Sequence, residues 1–190
     1  MRAIDAQHYW IAARFERREG WDATRYPFNL AVVRNLDELV FHPKVTFLVG
    51  ENGAGKSTLI EALAVAWGFN PEGGSKNFNF GTRPSHSDLH AFVRPVRSTK
   101  RARHGYFLRA ESDFNVATQI EALDEDPSGG PRIIIATHSP IILGYPDAWV
   151  YQATPKGLER VDYEDTDHYQ VTRNFLNRRA VFLEALLGEE

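Results

Sequence analysis

The sequence predicts an α/β fold in which helices flank a mainly parallel central sheet, with a small antiparallel layer near the N-terminus. Three stretches carry this prediction. The apolar runs Val45–Val49 and Ile133–Ala136 are rich in β-forming residues, and they suit strands that are buried in a parallel sheet. A glycine-rich loop follows the first run and leads into the helix-forming stretch Leu59–Trp67. The order of strand, loop and helix is typical of parallel α/β folds.

Further elements are predicted from local patterns on both sides of these stretches. Before the glycine-rich loop, Ile4–Phe15, Leu30–Val33 and Leu36–Phe41 are candidate strands of the antiparallel layer. The elements predicted after the loop are a helix from Asp88 toward Val93 capped by Ser85 or Ser87, a strand at Tyr106–Leu108, a helix at Phe114–Leu123, strands at Trp149–Tyr151 and Leu158–Val161, and a C-terminal helical region through Leu187 capped by Asp165 or Thr166.

Length and composition favour one domain that spans residues 1–190. The chain is 43% hydrophobic and 12% aromatic, which is enough for a buried core, and its formal net charge of −3 gives no overall attraction to nucleic acid or membranes. It has no cysteine, which excludes disulfides and thiolate metal sites. The N-terminus does not resemble a signal peptide, and no apolar run reaches the roughly 18 residues of a membrane span. We therefore expect a soluble cytoplasmic protein.

The glycine-rich loop matches the phosphate-binding pattern G-x-x-x-x-G-K-[ST] at every fixed position. Its residues are Gly50, Glu51, Asn52, Gly53, Ala54, Gly55, Lys56, Ser57 and Thr58. The glycines let the backbone turn with its N–H groups pointing inward, and the following helix adds its free N–H groups and the positive end of its dipole. In this motif Lys56 reaches the β- and γ-phosphates, and the Ser57 hydroxyl is a ligand to Mg²⁺. The sequence therefore predicts binding of a nucleoside triphosphate, with ATP and Mg²⁺ as the expected ligands.

The loop and a later segment together resemble a known family. Gly50–Ala62 reads Gly-Glu-Asn-Gly-Ala-Gly-Lys-Ser-Thr-Leu-Ile-Glu-Ala, and the predicted strand Ile133–Ala136 runs into Thr-His-Ser-Pro. With the tail Val161–Thr166, these segments resemble the ATP-binding-cassette ATPase head, in particular the predicted ATPases of the AAA family that are related to the SMC and RecF-like group. The resemblance implies a P-loop NTPase fold and ATPase activity. It also implies that His138 is the switch histidine, which contacts the γ-phosphate and the attacking water; a strand-end residue without catalytic contact is the alternative.

Two further elements of that family have no counterpart in the sequence. The family has a Walker B strand, a short apolar strand followed by Asp-Glu, whose Asp helps to hold Mg²⁺ and whose Glu polarises the attacking water. The Leu-Asp-Glu at Leu123, Asp124 and Glu125 follows an amphipathic helical pattern, so we interpret it as a helix end and turn. No signature motif precedes it. We therefore predict an internal deletion near residues 123–131 and an ATPase with impaired hydrolysis. A non-catalytic nucleotide-binding module that acts through a partner protein is the alternative, and a phosphotransferase is disfavoured by the Thr-His-Ser-Pro segment.

The resemblance also indicates how the sheet would respond to such a deletion. In the family, the strand that leads to His138 lies between the P-loop strand and the Walker B strand. Without the latter, Ile133–Ala136 remains next to the P-loop strand and forms an apolar sheet edge. Such an edge predicts association, either as a homodimer or with another protein partner.

Three weaker patterns bear on ligands. Tyr26 or Phe28 is a candidate ring for stacking on adenine, with a place in the core as the alternative. His86 and His90 flank a carboxylate, but a metal site needs further ligands, and a capped helix start with exposed histidines is the preferred interpretation. The basic run Arg94–Arg109 is a candidate contact for nucleic acid phosphates, with a solvated loop or hairpin tip as the favoured alternative.

Overall fold

The computed structural model describes residues 10–69, 74–75, 87–98, 106–107 and 133–188. Within them the chain forms a mixed α/β fold with a four-stranded, mostly parallel sheet, a three-stranded antiparallel sheet and a separate two-stranded pair. The strands are β1 (Trp10–Phe15), β2 (Glu38–Val40), β3 (Val45–Val49), β4 (Gly74–Ser75), β5 (Val93–Arg97), β6 (Tyr106–Phe107), β7 (Ile133–Ala136), β8 (Trp149–Thr154) and β9 (Gly157–Val161). The helices are α1 (Ala31–Arg34), α2 (Lys56–Ala66), α3 (Pro140–Leu143), α4 (Asp167–Asn177) and α5 (Arg179–Leu187), with 3₁₀ helices at Asp88–Phe92 and Tyr163–Asp165.

The central sheet has the order β7-β3-β8-β9 among the described strands. β3 lies parallel to both β7 and β8, whereas β9 returns antiparallel to β8. Every residue of β3 is buried, as expected for a strand covered on both faces. The strands predicted at Val45–Val49 and Ile133–Ala136 are confirmed with the same bounds, and β7 lies beside β3 at one edge of this described sheet.

The predicted antiparallel layer exists, but its members differ from the prediction. It consists of β2, β1 and β5. The strand expected at Leu36–Phe41 is confirmed as β2, but the strand expected at Leu30–Val33 is wrong, because Ala31–Arg34 forms the helix α1. The N–H of Arg34 donates to the carbonyl of Leu30 at 2.8 Å, and the helix buries two valines. A short apolar run does not by itself distinguish a strand from a turn of buried helix.

The third strand of this layer, β5, includes the start of the basic run Arg94–Arg109. The prediction of a solvated loop or hairpin tip is therefore wrong for Arg94–Arg97. Val93 is buried against the neighbouring strand β1, while Arg94 and Arg97 are exposed. Arg94 forms an ion pair of 3.3 Å with Glu16. At this edge of the described layer the strand packs Val93 inward and keeps both arginines in solvent.

An aromatic cluster joins the antiparallel layer to helix α2. Trp10 of β1 stacks on Trp67, which directly follows α2, with ring centroids 4.7 Å apart. Phe41 packs against Trp67 at 5.3 Å. The hydroxyl of Tyr151 in β8 donates a hydrogen bond of 2.7 Å to the carbonyl of Val40 in β2, which links the two larger sheets. These contacts fix α2 and β3, and therefore the loop that connects them.

The C-terminal segment is helical, as predicted, and consists of α4 and α5, which meet at Arg178. The Thr166 side chain caps α4 by accepting a hydrogen bond of 3.2 Å from the N–H of Tyr169, so the predicted cap at Thr166 is confirmed. Ser87 precedes the first 3₁₀ helix but makes no side-chain cap hydrogen bond, so the capping role predicted for it is wrong. No helix within the described ranges is long and apolar enough to cross a membrane.

Some predicted features lie outside the described residues. These are the start of the first candidate strand before Trp10, Ser85, His86, the helix at Phe114–Leu123, Asp124, Glu125 and the deletion near residues 123–131.

Candidate functional site

The glycine-rich loop leaves β3 at Gly50 and enters α2 after Gly55. Its glycines have positive φ angles of 132° at Gly50, 81° at Gly53 and 92° at Gly55, which is a region that favours glycine. A Cβ on Gly50 would lie 2.8 Å from the carbonyl oxygen of Ala153 in β8, and a Cβ on Gly55 would lie 2.9 Å from Cδ1 of Leu30. The loop therefore packs so closely against β8 and the segment before α1 that larger residues do not fit at these two positions.

Lys56 is only 6% exposed, although it carries a charge. Its Nζ donates hydrogen bonds of 2.7 Å to the carbonyl oxygens of Gly50 and Glu51. Burial lowers the pKa of Lys56 from its ordinary value, because the charged form loses hydration. An ammonium has three N–H donors, and the described residues supply acceptors for two of them. One donor is therefore left to meet a ligand at the loop.

Ser57 and Thr58 lie in the first turn of α2, where the backbone N–H groups have no acceptor within the helix. Ser57 is exposed, so its hydroxyl is accessible to a ligand or a metal ion beside the loop. Thr58 is half-buried, and its hydroxyl lies 3.0 Å from the hydroxyl of Tyr26. Of the remaining loop residues, Glu51, Asn52 and Gly53 are exposed and Ala54 is half-buried.

A cavity of about 500 Å³ borders the loop. It is lined by the tip of the loop, the segment that enters α1, the β8–β9 turn and the start of α4, through residues that include Asn29, Leu30, Asn52, Ala54, Thr154 and Asp167. A Cβ on Gly53 would meet no atom within 4 Å, so the tip of the loop is open. The cavity gives a ligand of moderate size access to the loop.

The two aromatic candidates have different surroundings. Phe28 is fully buried and packs against Trp21 and Phe92, with ring centroids 4.8 and 5.0 Å away. Tyr26 is 58% exposed and reaches α2 through the contact with Thr58. Phe28 is therefore a core residue, and Tyr26 is the one of the two whose ring remains accessible to a ligand.

His138 lies just beyond the carboxyl end of β7, beside the start of the glycine-rich loop. The parallel register pairs Leu48 with Ala136. Gly50 and His138, each two residues further along, therefore come to the same level at this edge of the sheet. His138 is exposed, and it lies in the turn between β7 and α3.

His168 contacts His138, and no sequence pattern had indicated it as a site residue. The Nδ1 of His138 lies 2.9 Å from the Nε2 of His168, and the ring centroids are 5.1 Å apart. His168 follows the Thr166 cap by two residues, in the first turn of α4. This position could have indicated His168 as a candidate site residue, because it lies just after the tail Val161–Thr166 on which the family resemblance partly depends.

The start of α4 is tied to its neighbours on two sides. The hydroxyl of Tyr163 donates a hydrogen bond of 2.8 Å to the carbonyl of Pro140, at the beginning of α3. The hydroxyl of Thr166 donates to the carbonyl of Tyr163 at 2.7 Å. On the other side, the N–H of Asp167 donates to Oε1 of Gln152 at 3.2 Å, and the Asp167 carboxylate accepts from Nε2 of Gln152 at 2.8 Å. These bonds hold α4 between β8 and the turn that follows β7.

The surroundings of His168 favour its neutral form. Burial is the largest cause that lowers the pKa of His168, followed by the His138 ring and the Lys56 ammonium, whereas Asp167 acts in the opposite direction. Asp167, the residue before His168, lines the same cavity as Asn52 and Ala54, so the start of α4 lies close to the glycine-rich loop. Burial, assisted by Tyr169 and Glu164, raises the pKa of Tyr163, so its hydroxyl retains the proton that it donates.

The weaker sequence patterns do not assemble into a site in the described part of the chain. The Nδ1 of His90 lies 3.0 Å from the carbonyl oxygen of Ser87, and the described residues contain no group of three side chains able to hold a metal ion. Of the basic run Arg94–Arg109, the structure describes the side chains up to Ser98, which include Arg94 and Arg97 among the basic residues. A nucleic acid contact through this run stays a prediction.

Of the comparisons with known proteins, the one with family models gave a match. The curated proteins and the solved structures gave no match to the chain. A family model described as an AAA domain matches residues 28–175, which is most of the chain and includes the glycine-rich loop, His138 and His168. The chain therefore belongs to the AAA domain family of P-loop ATPases.

Proposed function

We propose that this chain binds ATP together with Mg²⁺ at Gly50–Thr58, as an ATPase of the cassette type or a shortened relative with impaired hydrolysis. The observation that carries the proposal is the burial of Lys56, whose partners are two neutral carbonyl groups of the loop itself. A buried charge is unfavourable unless it is matched, and no carboxylate pairs with Lys56 among the described residues. A phosphate chain supplies the missing negative charge.

Each part of the loop has a role in this proposal. The N–H groups of the loop and of the first turn of α2 hold phosphate oxygens, and Lys56 donates its remaining N–H to the β- and γ-phosphates. The Ser57 hydroxyl is a ligand for Mg²⁺, which neutralises phosphate charge when bound. His138 contacts the terminal phosphate. The cavity beside the loop takes the ribose and the base.

Titration calorimetry with Mg²⁺ and a slowly hydrolysed ATP analogue tests the proposal. We expect Lys56→Ala to weaken binding by roughly 100-fold, because a hydrogen bond to a charged group contributes about 1.5–3 kcal/mol. Lys44→Ala is the matched control, since it removes the same charge just before the amino end of β3, away from the loop. Equal affinity of wild type and Lys56→Ala would contradict the assignment of the loop.

A second candidate is the non-catalytic module that acts through a partner protein. It is favoured by the apolar side chains that α4 and α5 leave exposed, each at 61% or more: Val171, Leu176, Val181, Leu186 and Leu187. The place of β7 at an edge of the described sheet is compatible with the same role. Light scattering with and without Mg²⁺ and the ATP analogue tests for a homodimer, and an unchanged monomer mass in both conditions argues against one.

The proposed impairment of hydrolysis depends on the sequence prediction of a deletion near residues 123–131. Reading the gene across Leu123–Pro131 tests it directly. If the gene encodes the present sequence without interruption, the short segment is native and the proposal of impaired hydrolysis is supported. If the gene contains additional coding sequence between these positions, an ATPase with ordinary hydrolysis becomes the better proposal.

A further inference from the structure

The turn after β7 and the first turn of α4 meet through two imidazoles. His138 Nδ1 and His168 Nε2 lie 2.9 Å apart, which is a hydrogen-bond distance, so one ring donates and the other accepts. A neutral imidazole carries a single N–H. The direction of this bond therefore decides which nitrogen of each ring carries the proton.

The surroundings of His168 indicate the direction. Its Nδ1 is buried and has no hydrogen-bond partner within the described ranges. If His138 donated to Nε2 of His168, the His168 proton would lie on this buried Nδ1, and an N–H donor would stay unsatisfied. If His168 donates from Nε2, its Nδ1 carries a lone pair instead. His168 lies in the first turn of α4, and the positive end of the helix dipole also favours a lone pair over a further N–H on this ring.

We propose that His168 is a positioning residue for His138: by donating from its Nε2 to the Nδ1 of His138, it holds the His138 ring as the Nε2–H tautomer, ready to donate to the terminal phosphate of a bound nucleotide. The identity of that ligand depends on the proposed function, whereas the bond between the two rings does not. The tautomer matters because an Nε2–H donates to a phosphate oxygen, while a bare Nε2 lone pair would repel it.

The fold gives His168 a fixed position from which to do this. Thr166 caps α4 one residue before Asp167, Gln152 bonds Asp167 through both its N–H and its carboxylate, and Tyr163 bonds the carbonyl of Pro140. The start of α4 is thus fastened to β8 and to the turn that carries His138. Through His168 the C-terminal helix sets the orientation of a side chain beside the phosphate-binding loop.

The first experiment reads the tautomers directly. In the full chain labelled with ¹⁵N-histidine, two-bond proton–nitrogen correlations at neutral pH distinguish the two tautomers and the imidazolium. The chain has 7 histidines, and His138→Gln and His168→Gln assign the two signals. We expect the Nε2–H form for both rings. A His138 ring in the Nδ1–H form, or an imidazolium in either ring, would overturn the proposal without reference to any nucleotide.

The second experiment measures how much more tightly the protein binds a nucleotide that has a γ-phosphate than one that lacks it. Calorimetry gives the affinities for Mg²⁺ with ATPγS and for Mg²⁺ with ADP. We expect His168→Phe and His138→Ala each to reduce the ratio of these affinities about tenfold, with the ADP affinity unchanged, since a hydrogen bond to a charged group is lost. His168→Gln keeps a side-chain N–H donor and should retain the ratio within about threefold of the wild type.

The outcomes separate this inference from the proposed function. If Lys56→Ala abolishes binding but His168→Phe leaves the ATPγS-to-ADP ratio unchanged, the proposed function stands and the positioning role is wrong. If the wild type binds neither nucleotide, the proposed function fails, and the tautomers of the two rings still decide whether His168 orients His138. A fall in the ratio with His168→Phe that His168→Gln restores supports the positioning role, because a general loss of stability would not spare ADP.

Discussion

The phenolic hydroxyl of Tyr163 donates a hydrogen bond of 2.8 Å to the backbone carbonyl of Pro140. The bond fastens the segment before α4 to the start of α3, and thereby to the turn that carries His138. We predict that Tyr163→Phe lowers the free energy of unfolding by about 1 kcal/mol, the usual net contribution of one hydrogen bond. Urea unfolding of the two proteins measures the difference.

Tyr169→Phe is the control for this measurement. The Tyr169 ring packs against Tyr163 with centroids 4.7 Å apart, and phenylalanine preserves that packing. The free energy of unfolding should stay within about 0.5 kcal/mol of the wild type, as for surface substitutions that remove no buried contact. An equal loss in both variants would mean that the bond to Pro140 contributes nothing specific.

Gly50 and Gly53 share a positive φ but differ in the space around them. Alanine at Gly50 would lie 2.8 Å from the Ala153 carbonyl oxygen, whereas alanine at Gly53 would meet no atom within 4 Å. We predict that Gly50→Ala lowers the free energy of unfolding by about 2–4 kcal/mol, since overpacking and backbone strain add, and that Gly53→Ala lowers it by about 1–2 kcal/mol from strain alone. Denaturant unfolding of both variants tests the order, and a larger loss at Gly53 would mean that β8 does not confine the loop.

The parts of the structure that could be predicted are those whose signal is local. Val45–Val49 is apolar except for Thr46, Ile133–Ala136 is apolar throughout, and both form strands with the predicted bounds. The cap of α4 could be narrowed to Asp165 or Thr166, because capping residues are few in type and stand just before the helix, and the structure selects Thr166. The glycine-rich loop is visible in the sequence, since its spacing is fixed by the turn that it makes.

The parts that could not be predicted depend on contacts between distant segments. Leu30–Val33 has the composition of a strand, but its packing against the glycine-rich loop selects the helix α1. β5 carries two exposed arginines, so its sequence looks like a loop until β1 supplies a partner. His138 and His168 are 30 positions apart, and no periodic pattern connects a turn after one strand to the first turn of a helix.

The lowered pKa of His168 predicts a pH dependence of stability. In the unfolded chain this imidazole titrates near its ordinary pKa of 6.5, whereas in the folded protein burial, His138 and Lys56 hold the pKa below that value. Between the two pKa values the unfolded state binds more protons, so stability rises with pH across this window. The contribution of neutral His168 is complete above pH 6.5 and is lost as the pH falls through the folded pKa.

Thermal unfolding one unit above and one unit below pH 6.5 measures this effect. We expect the midpoint of the wild type to fall more on acidification than that of His168→Gln, because glutamine does not titrate. Other titrating groups change the midpoint of both proteins by the same amount. The difference between the two proteins in the change of midpoint with pH therefore isolates His168. An equal change of midpoint with pH in both proteins would contradict the lowered pKa of His168 in the folded protein.

The last prediction concerns turnover, and it depends on the proposed function. We predict that the purified chain binds Mg²⁺ and ATP but releases phosphate at less than about 1 s⁻¹, below the range of ordinary enzymes. Phosphoryl transfer requires a positioned water and groups that stabilise the transition state, in addition to a loop that holds the phosphates. In the proposed function Lys56, Ser57 and His138 hold the phosphates, whereas the predicted deletion removes both the acid that would position the water and the signature motif that would stabilise the transition state. General-base and electrostatic effects each contribute roughly 10²–10⁴ in rate, so the loss of both leaves little catalysis.

Steady-state phosphate release measures this rate, and Lys56→Ala shows how much of it comes from contaminating ATPases, since that variant lacks the lysine proposed to hold the nucleotide. Glu125→Gln is the informative second variant. Within Leu123–Glu125, Glu125 occupies the position that corresponds to the catalytic Glu of a Walker B motif. We expect it to leave both Mg²⁺–ATP affinity and the residual rate unchanged, because the sequence pattern predicts a helix end and turn at this position. Ordinary turnover that disappears in both Lys56→Ala and Glu125→Gln would mean that Leu123–Glu125 supplies the catalytic acid after all, and that the predicted deletion near residues 123–131 does not exist.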